Sequence, residues 1–140
     1  KIFQSFIDDS PRKTFWHGHS FTANPLGCAA ANASIDLLEK EPHKYLSLEE
    51  KHLSHLIKFK GLPYIKKIRV SGTIAAFDLE IGNKKGYFNN IGKEIKSRAM
   101  KQGLFIRPLG NVVYLLPPLC ITDDQLAKSY WIIRQILDNL

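Results

Sequence analysis

A chain of 140 residues, 44% hydrophobic and 11% aromatic, has room for one folded domain with a core and lies far from a disordered composition. No apolar run approaches the roughly 20 residues of a membrane-spanning helix. The net charge of +7 is spread over Lys58, Lys60, Lys66, Lys67, Arg69, Lys84, Lys85, Lys93, Lys96, Arg98 and Lys101 without interleaved aromatics, a solvated surface rather than a nucleic-acid platform.

Residues 1–16 carry Ile2, Phe3, Phe6 and Ile7 at helical spacing ahead of Pro11, which predicts the tail of a helix begun upstream. With no initiator methionine and no signal-peptide core, the start reads as a cut inside a longer gene product. The polar turn His17-Gly18-His19-Ser20-Phe21-Thr22-Ala23 then leads to Asn24-Pro25, a cap followed by a proline with φ preset. The helix so opened runs to about Lys40 and ends at Glu41-Pro42. Its Ala29, Ala30, Ala31 and Ala33 leave it thin, so something large is expected to pack against it.

A second helix is predicted from Ser47, where Ser47-x-x-Glu50 has the form of a capping box, with Leu53, Leu56 and Ile57 on one face before Gly61. The period then changes to that of strands, Ile65 to Val70 and Thr73 to Ile81, joined across Ser71-Gly72. Gly82 to Gly86 read as a loop. A third helix spans about Ile91 to Gln102 and stops at Gly103. Strands Leu104–Arg107 and Val112–Leu116 flank a Pro108-Leu109-Gly110-Asn111 turn. Thr122-Asp123-Asp124-Gln125 opens a last helix, with Leu126, Tyr130, Ile133, Leu137 and Leu140 on its apolar stripe. The order predicts an α+β fold, a small and mainly antiparallel sheet with helices on one face.

Two places carry chemistry. The glycine turn joins two imidazoles and two hydroxyls to a helix start, the makings of an anion site that suits phosphate. Arg107 ends an apolar segment, and its planar fork suits a carboxylate, either a ligand's or an acidic side chain's; Tyr114 brings a hydroxyl to the same block or packs in the core. His17 with His19, and His52 with His55, have spacings that raise zinc, but no cysteine or carboxylate completes a set, so no metal is expected. The second pair reads as solvated histidines on a helix. Cys28 and Cys120 read as buried small residues of a reducing compartment.

The glycine turn resembles the cofactor-phosphate turn of class III aminotransferases, the pyridoxal-phosphate enzymes of fold type I. Gly103-Leu104-Phe105-Ile106-Arg107-Pro108 through Pro117-Pro118 resembles the same family's carboxylate-binding region. Both blocks, with Ile74-Ala75-Ala76-Phe77-Asp78 between them, are most similar to the biotin-pathway members. The resemblance runs along nearly the whole chain but matches only the C-terminal part of such an enzyme. It implies a linking helix and cofactor turn at 1–24 and the C-terminal small domain at 25–140.

It further implies pyridoxal 5′-phosphate held by His19, through its backbone N–H, and by Ser20. Gly18, Arg107 and Tyr114 meet substrate, with Arg107 on the carboxylate of 7-keto-8-aminopelargonate. S-adenosylmethionine would be the amino donor, 7,8-diaminopelargonate the product, and the enzyme a cytoplasmic homodimer whose turn reaches the neighbouring subunit's cofactor. None of the lysines stands where the family places its Schiff-base lysine, which would lie upstream; the chain alone is expected to hold no catalytic residue and to be inactive. Two other readings stay open: a class III transaminase of the ω-amino acid type, and a basic, non-catalytic binding module.

Overall fold

The computed structural model describes residues 1–81 and 88–140, leaving aside the side chains of residues 45 and 46. Two compact units divide the chain, Lys1–Glu41 and Pro42–Leu140. The dividing point places the first long helix with the turn before it, whereas the sequence reading divides at residue 24.

In the first unit the N-terminal segment forms two 3-10 turns, Phe3–Phe6 and Pro11–Lys13, instead of the tail of an α-helix. Side chains tie this stretch locally: Asp8 accepts from the backbone N–H of Ser10 and pairs with Lys13 at 2.5 Å, and the Trp16 indole donates to the carbonyl of Pro11. Helix α1, Pro25–Lys40, keeps its expected bounds because its start signal is local. The Asn24 carboxamide accepts from the Gly27 N–H at 3.1 Å. Not one residue of α1 is buried.

The second unit is built round a sheet of β1 (Ile65–Ser71), β2 (Ile74–Leu79) and β3 (Val112–Leu115), ordered β1-β2-β3 and antiparallel throughout. Pairings such as Ile65 with Leu79 and Phe77 with Val113 put the inward side chains on one face. Helices α2 (His43–Leu56), α3 (Ile91–Lys101) and α4 (Asp123–Asp138) supply the rest of the core, including Leu48, Leu56, Ile95, Ala99, Leu126 and Ile133. The register of β1 slips between Lys66 and Arg69, where Lys67 adopts φ +49°, and both Lys67 and Arg69 reach back to Asp78.

Four expectations need correction. Helix α2 starts at His43, directly after Pro42; Ser47 lies inside it and donates its hydroxyl to the Lys44 carbonyl rather than capping anything. The buried face of this segment is Leu48, His52, Leu56 and Phe59, while Leu53 and Ile57 point to solvent. Leu104–Arg107 forms no strand, although β3 is an edge strand, and the hairpin shrinks to a single bridge between Leu109 and Val112. Cys28 and Cys120 are both free and exposed, one on the unburied α1 and one in the turn after β3.

Elsewhere the local signals hold. Thr122 and Gln125 make a full capping box at the start of α4, whose inward stripe is buried up to Leu137, with Leu140 left outside. Helix α3 stops at Gly103, which takes φ +80°. The expected loop at 82–86 lies outside the described residues. Among the described residues, no helix is long and apolar enough to cross a membrane.

Candidate functional site

In the first unit, alternate rings along residues 15–21 meet in sequence: Phe15 with His17, His17 with His19, His19 with Phe21, at centroid separations of 5.7, 6.2 and 6.1 Å. The chain then turns through Ser20–Ala23, with Ala23 in the left-handed region at φ +56°, into the cap of α1. Thr22 ties this turn shut, its hydroxyl accepting from the His19 N–H at 2.9 Å, while Nδ1 of His19 accepts from the Phe21 N–H at 3.1 Å. The backbone donor expected of His19 is therefore already used inside the turn. Ser20 is exposed and has no hydrogen bond within the described residues, so its hydroxyl and N–H are free to donate. Gly18 is equally open: a Cβ there would meet nothing within 4 Å.

In the second unit Arg107 and Tyr114 line one cleft of about 430 Å³. Its walls are largely apolar, from Leu104, Phe105, Ile106, Leu116, Pro117 and Pro118, with Ser129 of α4 at the edge. Arg107 is exposed and has no ion pair or hydrogen bond with any described residue. Among the described residues, no acidic side chain neutralises it. At the end of an apolar segment the guanidinium is nonetheless exposed rather than buried. Tyr114 is half-buried on β3, opposite Ala76. Ser129, whose hydroxyl donates to the Gln125 carbonyl, was not legible as a cleft residue; the one signal for it was its place at the margin of the α4 stripe.

The turn that carries Arg107 into β3 is held firmly. Leu109 and Val112 exchange two backbone hydrogen bonds across it, with Gly110 at φ +61°. Asn111, 8% exposed, donates its amide to the Leu79 carbonyl and accepts the Leu79 N–H on its own carbonyl.

The expectation for the helical histidines fails for His52. It is fully buried, with Nδ1 at 2.6 Å from the Tyr130 hydroxyl and Nε2 lacking a hydrogen-bond partner of good geometry. Burial pushes its imidazole below the ordinary value and the Tyr130 phenol far above its own. His55, half-buried, stacks on Tyr130 at 4.7 Å. No group of metal-binding side chains occurs among the described residues.

The second unit, three antiparallel strands packed with three helices, is an α+β domain with one cleft that holds Arg107. The sequence pattern described as "Aminotransferase class-III" matches residues 1–137, and the chain belongs to that family. A curated relative from Synechococcus elongatus, adenosylmethionine-8-amino-7-oxononanoate aminotransferase, is 44% identical over 99% of this chain and 32% of its own length. The protein of that name from Geobacter sulfurreducens is 38% identical over 90% of the chain and 29% of its own. A crystal structure of the Methanocaldococcus jannaschii enzyme of the same name superposes with TM-score 0.82 at 26% identity, over 99% of this chain and 33% of that one. An ω-transaminase from Pseudomonas jessenii, 22% identical with TM-score 0.78, shares the fold. The chain spans about a third of the length of the curated relatives it matches.

Proposed function

We propose that this chain is part of a pyridoxal-phosphate enzyme of biotin synthesis that moves an amino group from S-adenosylmethionine to 7-keto-8-aminopelargonate, giving 7,8-diaminopelargonate. The observation that carries the reading is Arg107, an exposed guanidinium with no internal partner in an apolar cleft. A chain with an acid at one end and methylenes behind it matches both features. Carboxylate oxygens would take two parallel charge-assisted bonds, and the apolar walls would cover the methylenes. Tyr114 would add a hydroxyl beside them. The names of the relatives, all of the biotin-pathway type among the curated matches quoted, favour this over an ω-amino acid substrate.

The donors of the glycine turn fit a phosphate. Ser20 offers a hydroxyl and an N–H with no competing internal bond, and Gly18 leaves the approach open. The His19 N–H, spent on Thr22, is a support of the turn rather than a ligand, which leaves the His19 imidazole as that residue's route to the cofactor. When bound, pyridoxal phosphate supplies the electron sink that the amino transfer requires. The chain's own part is to hold that group's phosphate and to fix the acid substrate by its carboxylate. In this reading none of its lysines takes the covalent role, and the chain alone is inactive. The unburied α1 supports a homodimer in which this unit meets the neighbouring subunit. In this reading the enzyme works in the cytoplasm.

The test is single-turnover kinetics of each half-reaction in the intact enzyme with Arg107→Ala. The keto-acid step should lose about 2–5 kcal/mol, the cost of truncating one member of a desolvated charge pair, and the S-adenosylmethionine step much less. An unchanged keto-acid step removes Arg107 from the site; equal losses in both steps make its role shared or structural.

A further inference from the structure

Helix α3 begins unusually close to the turn that carries Arg107. Gly92, its second residue, is buried, and a Cβ built there would run into the carbonyl oxygen of Gly110, well inside contact distance. The same Cβ would stand 3.0 Å from Cβ of Pro108 and 3.4 Å from the Gly110 carbonyl carbon. Two of the three obstacles are backbone, so no side-chain rotation relieves them.

Neither partner has room to retreat. On one side, Asn111 clamps the turn to Leu79 through its amide and its backbone carbonyl, and Leu109 and Val112 close it with two further bonds. On the other, the start of α3 is tied down by Asn89, whose side chain accepts from the Ile91 N–H at 2.9 Å and donates to the Ile81 carbonyl at 3.0 Å. Behind Gly92, Ile95 and Ala99 of the same helix are fully buried in the core. The Gly110 carbonyl meets Gly92 first, and Pro108, the next in contact, follows Arg107 directly. A displacement of the turn is therefore delivered to the arginine's own backbone.

We propose that Gly92 is a positioning residue for acid-substrate recognition: its missing side chain lets α3 seat the Pro108–Gly110 turn at the depth from which Arg107 reaches the substrate carboxylate. The inference rests on the role given to Arg107 above. Gly92 touches no substrate and acts only through that turn. A misplacement of the order of 1 Å at a binding group costs up to about a hundredfold in rate, so one methyl at residue 92 is enough to be felt.

The experiment is a double-mutant cycle in the intact enzyme, reading KM for 7-keto-8-aminopelargonate, the cofactor absorbance spectrum and the thermal midpoint. Gly92→Ala should raise that KM by about ten- to hundredfold with the cofactor spectrum unchanged. In an Arg107→Ala background the same change should move KM by less than about twofold, the scatter of independent sites. Gly61→Ala, at an exposed glycine with nothing within 4 Å, is the matched control and should leave KM where it was. If Gly92→Ala lowers the thermal midpoint but leaves KM intact, or if its effect adds fully to that of Arg107→Ala, Gly92 is a packing residue and the proposal falls. Should Gly92→Ala fail to fold, Asn111→Ala decides, because it removes the side-chain tie between the same turn and Leu79 without adding bulk; an unaltered KM there overturns the proposal. An Arg107→Ala enzyme with normal keto-acid turnover would instead sink the reading of Arg107 itself, and is recognised from the single variant.

Discussion

The two units use similar apolar side chains to opposite ends. In Pro42–Leu140, leucines, isoleucines and aromatics from three helices and three strands converge until Leu79, Ile95 and Val113 have no solvent exposure at all. In Lys1–Glu41, Phe3, Trp16, Phe21, Leu26, Ile35 and Leu37 are each more than half exposed, and α1 is held by its cap and its backbone alone. A helix of this length gains little from propensity; most helices in proteins are stabilised by a packed face. The difference teaches that the second unit carries its own core, while the apolar side chains of the first find little cover among the described residues.

The comparison breaks first at its cores. Ile133→Ala in α4 should cost about 2–5 kcal/mol, the usual price of a large buried cavity, seen as a lower denaturant midpoint of the intact enzyme. Leu37→Ala in α1 should leave that midpoint alone and instead shift the self-association equilibrium, read by sedimentation against concentration. Equal effects of the two on unfolding would place Leu37 in a core of the subunit's own.

A smaller effect sharpens the view of the first unit as a ligand-holding surface. Ser20→Ala should weaken cofactor retention by roughly 1.5–3 kcal/mol, the range for a hydrogen bond to a charged group, with no change in unfolding. If cofactor dialyses from mutant and wild type at the same rate, Ser20 is only part of the turn.

The smallest effect tests the polar spot inside the second core. Tyr130→Phe strands Nδ1 of His52 and should cost about 1–3 kcal/mol. The pH dependence follows from burial, which holds the folded His52 below its ordinary value near 6.5. The unfolded chain then binds the proton first, so stability is full above about pH 6.5 and falls as pH drops from there towards the lowered folded value. His55, shifted the same way by burial, adds to the slope. Denaturant midpoints between about pH 7.5 and 5 should show the loss, and His52→Gln should flatten part of it; a wild-type midpoint constant across that range would contradict the assignment.

What could be read in advance was what the chain writes locally. Asn24-Pro25, Thr122 with Gln125, and Gly103 each act within a few residues, and the helices they bound came out as expected. The start of α2 was misread because two local signals competed, and Pro42 outweighed the serine-glutamate spacing. Burial was harder. Nothing in the spacing of His52 distinguishes a solvated imidazole from one that meets Tyr130, 78 residues away. Arg107 and Tyr114 were named from the sequence and share a cleft, but the packing of Gly92 and Asn111 around the turn, and the place of Ser129 in the cleft lining, arise only once α3, α4 and β2 are brought together.

One further consequence concerns β1, an outer strand of the sheet. An outer strand presents a row of unpaired amides and carbonyls, a template on which a second chain can lay a strand of its own and begin an aggregate. The register slip at Lys66 to Arg69 interrupts that template, and the left-handed Lys67 bends it out of line. Because the slip also carries two cations held by Asp78, an approaching strand meets charge as well as broken geometry. The bulge thus protects the domain while it folds, when its apolar strands are most open to the wrong neighbour.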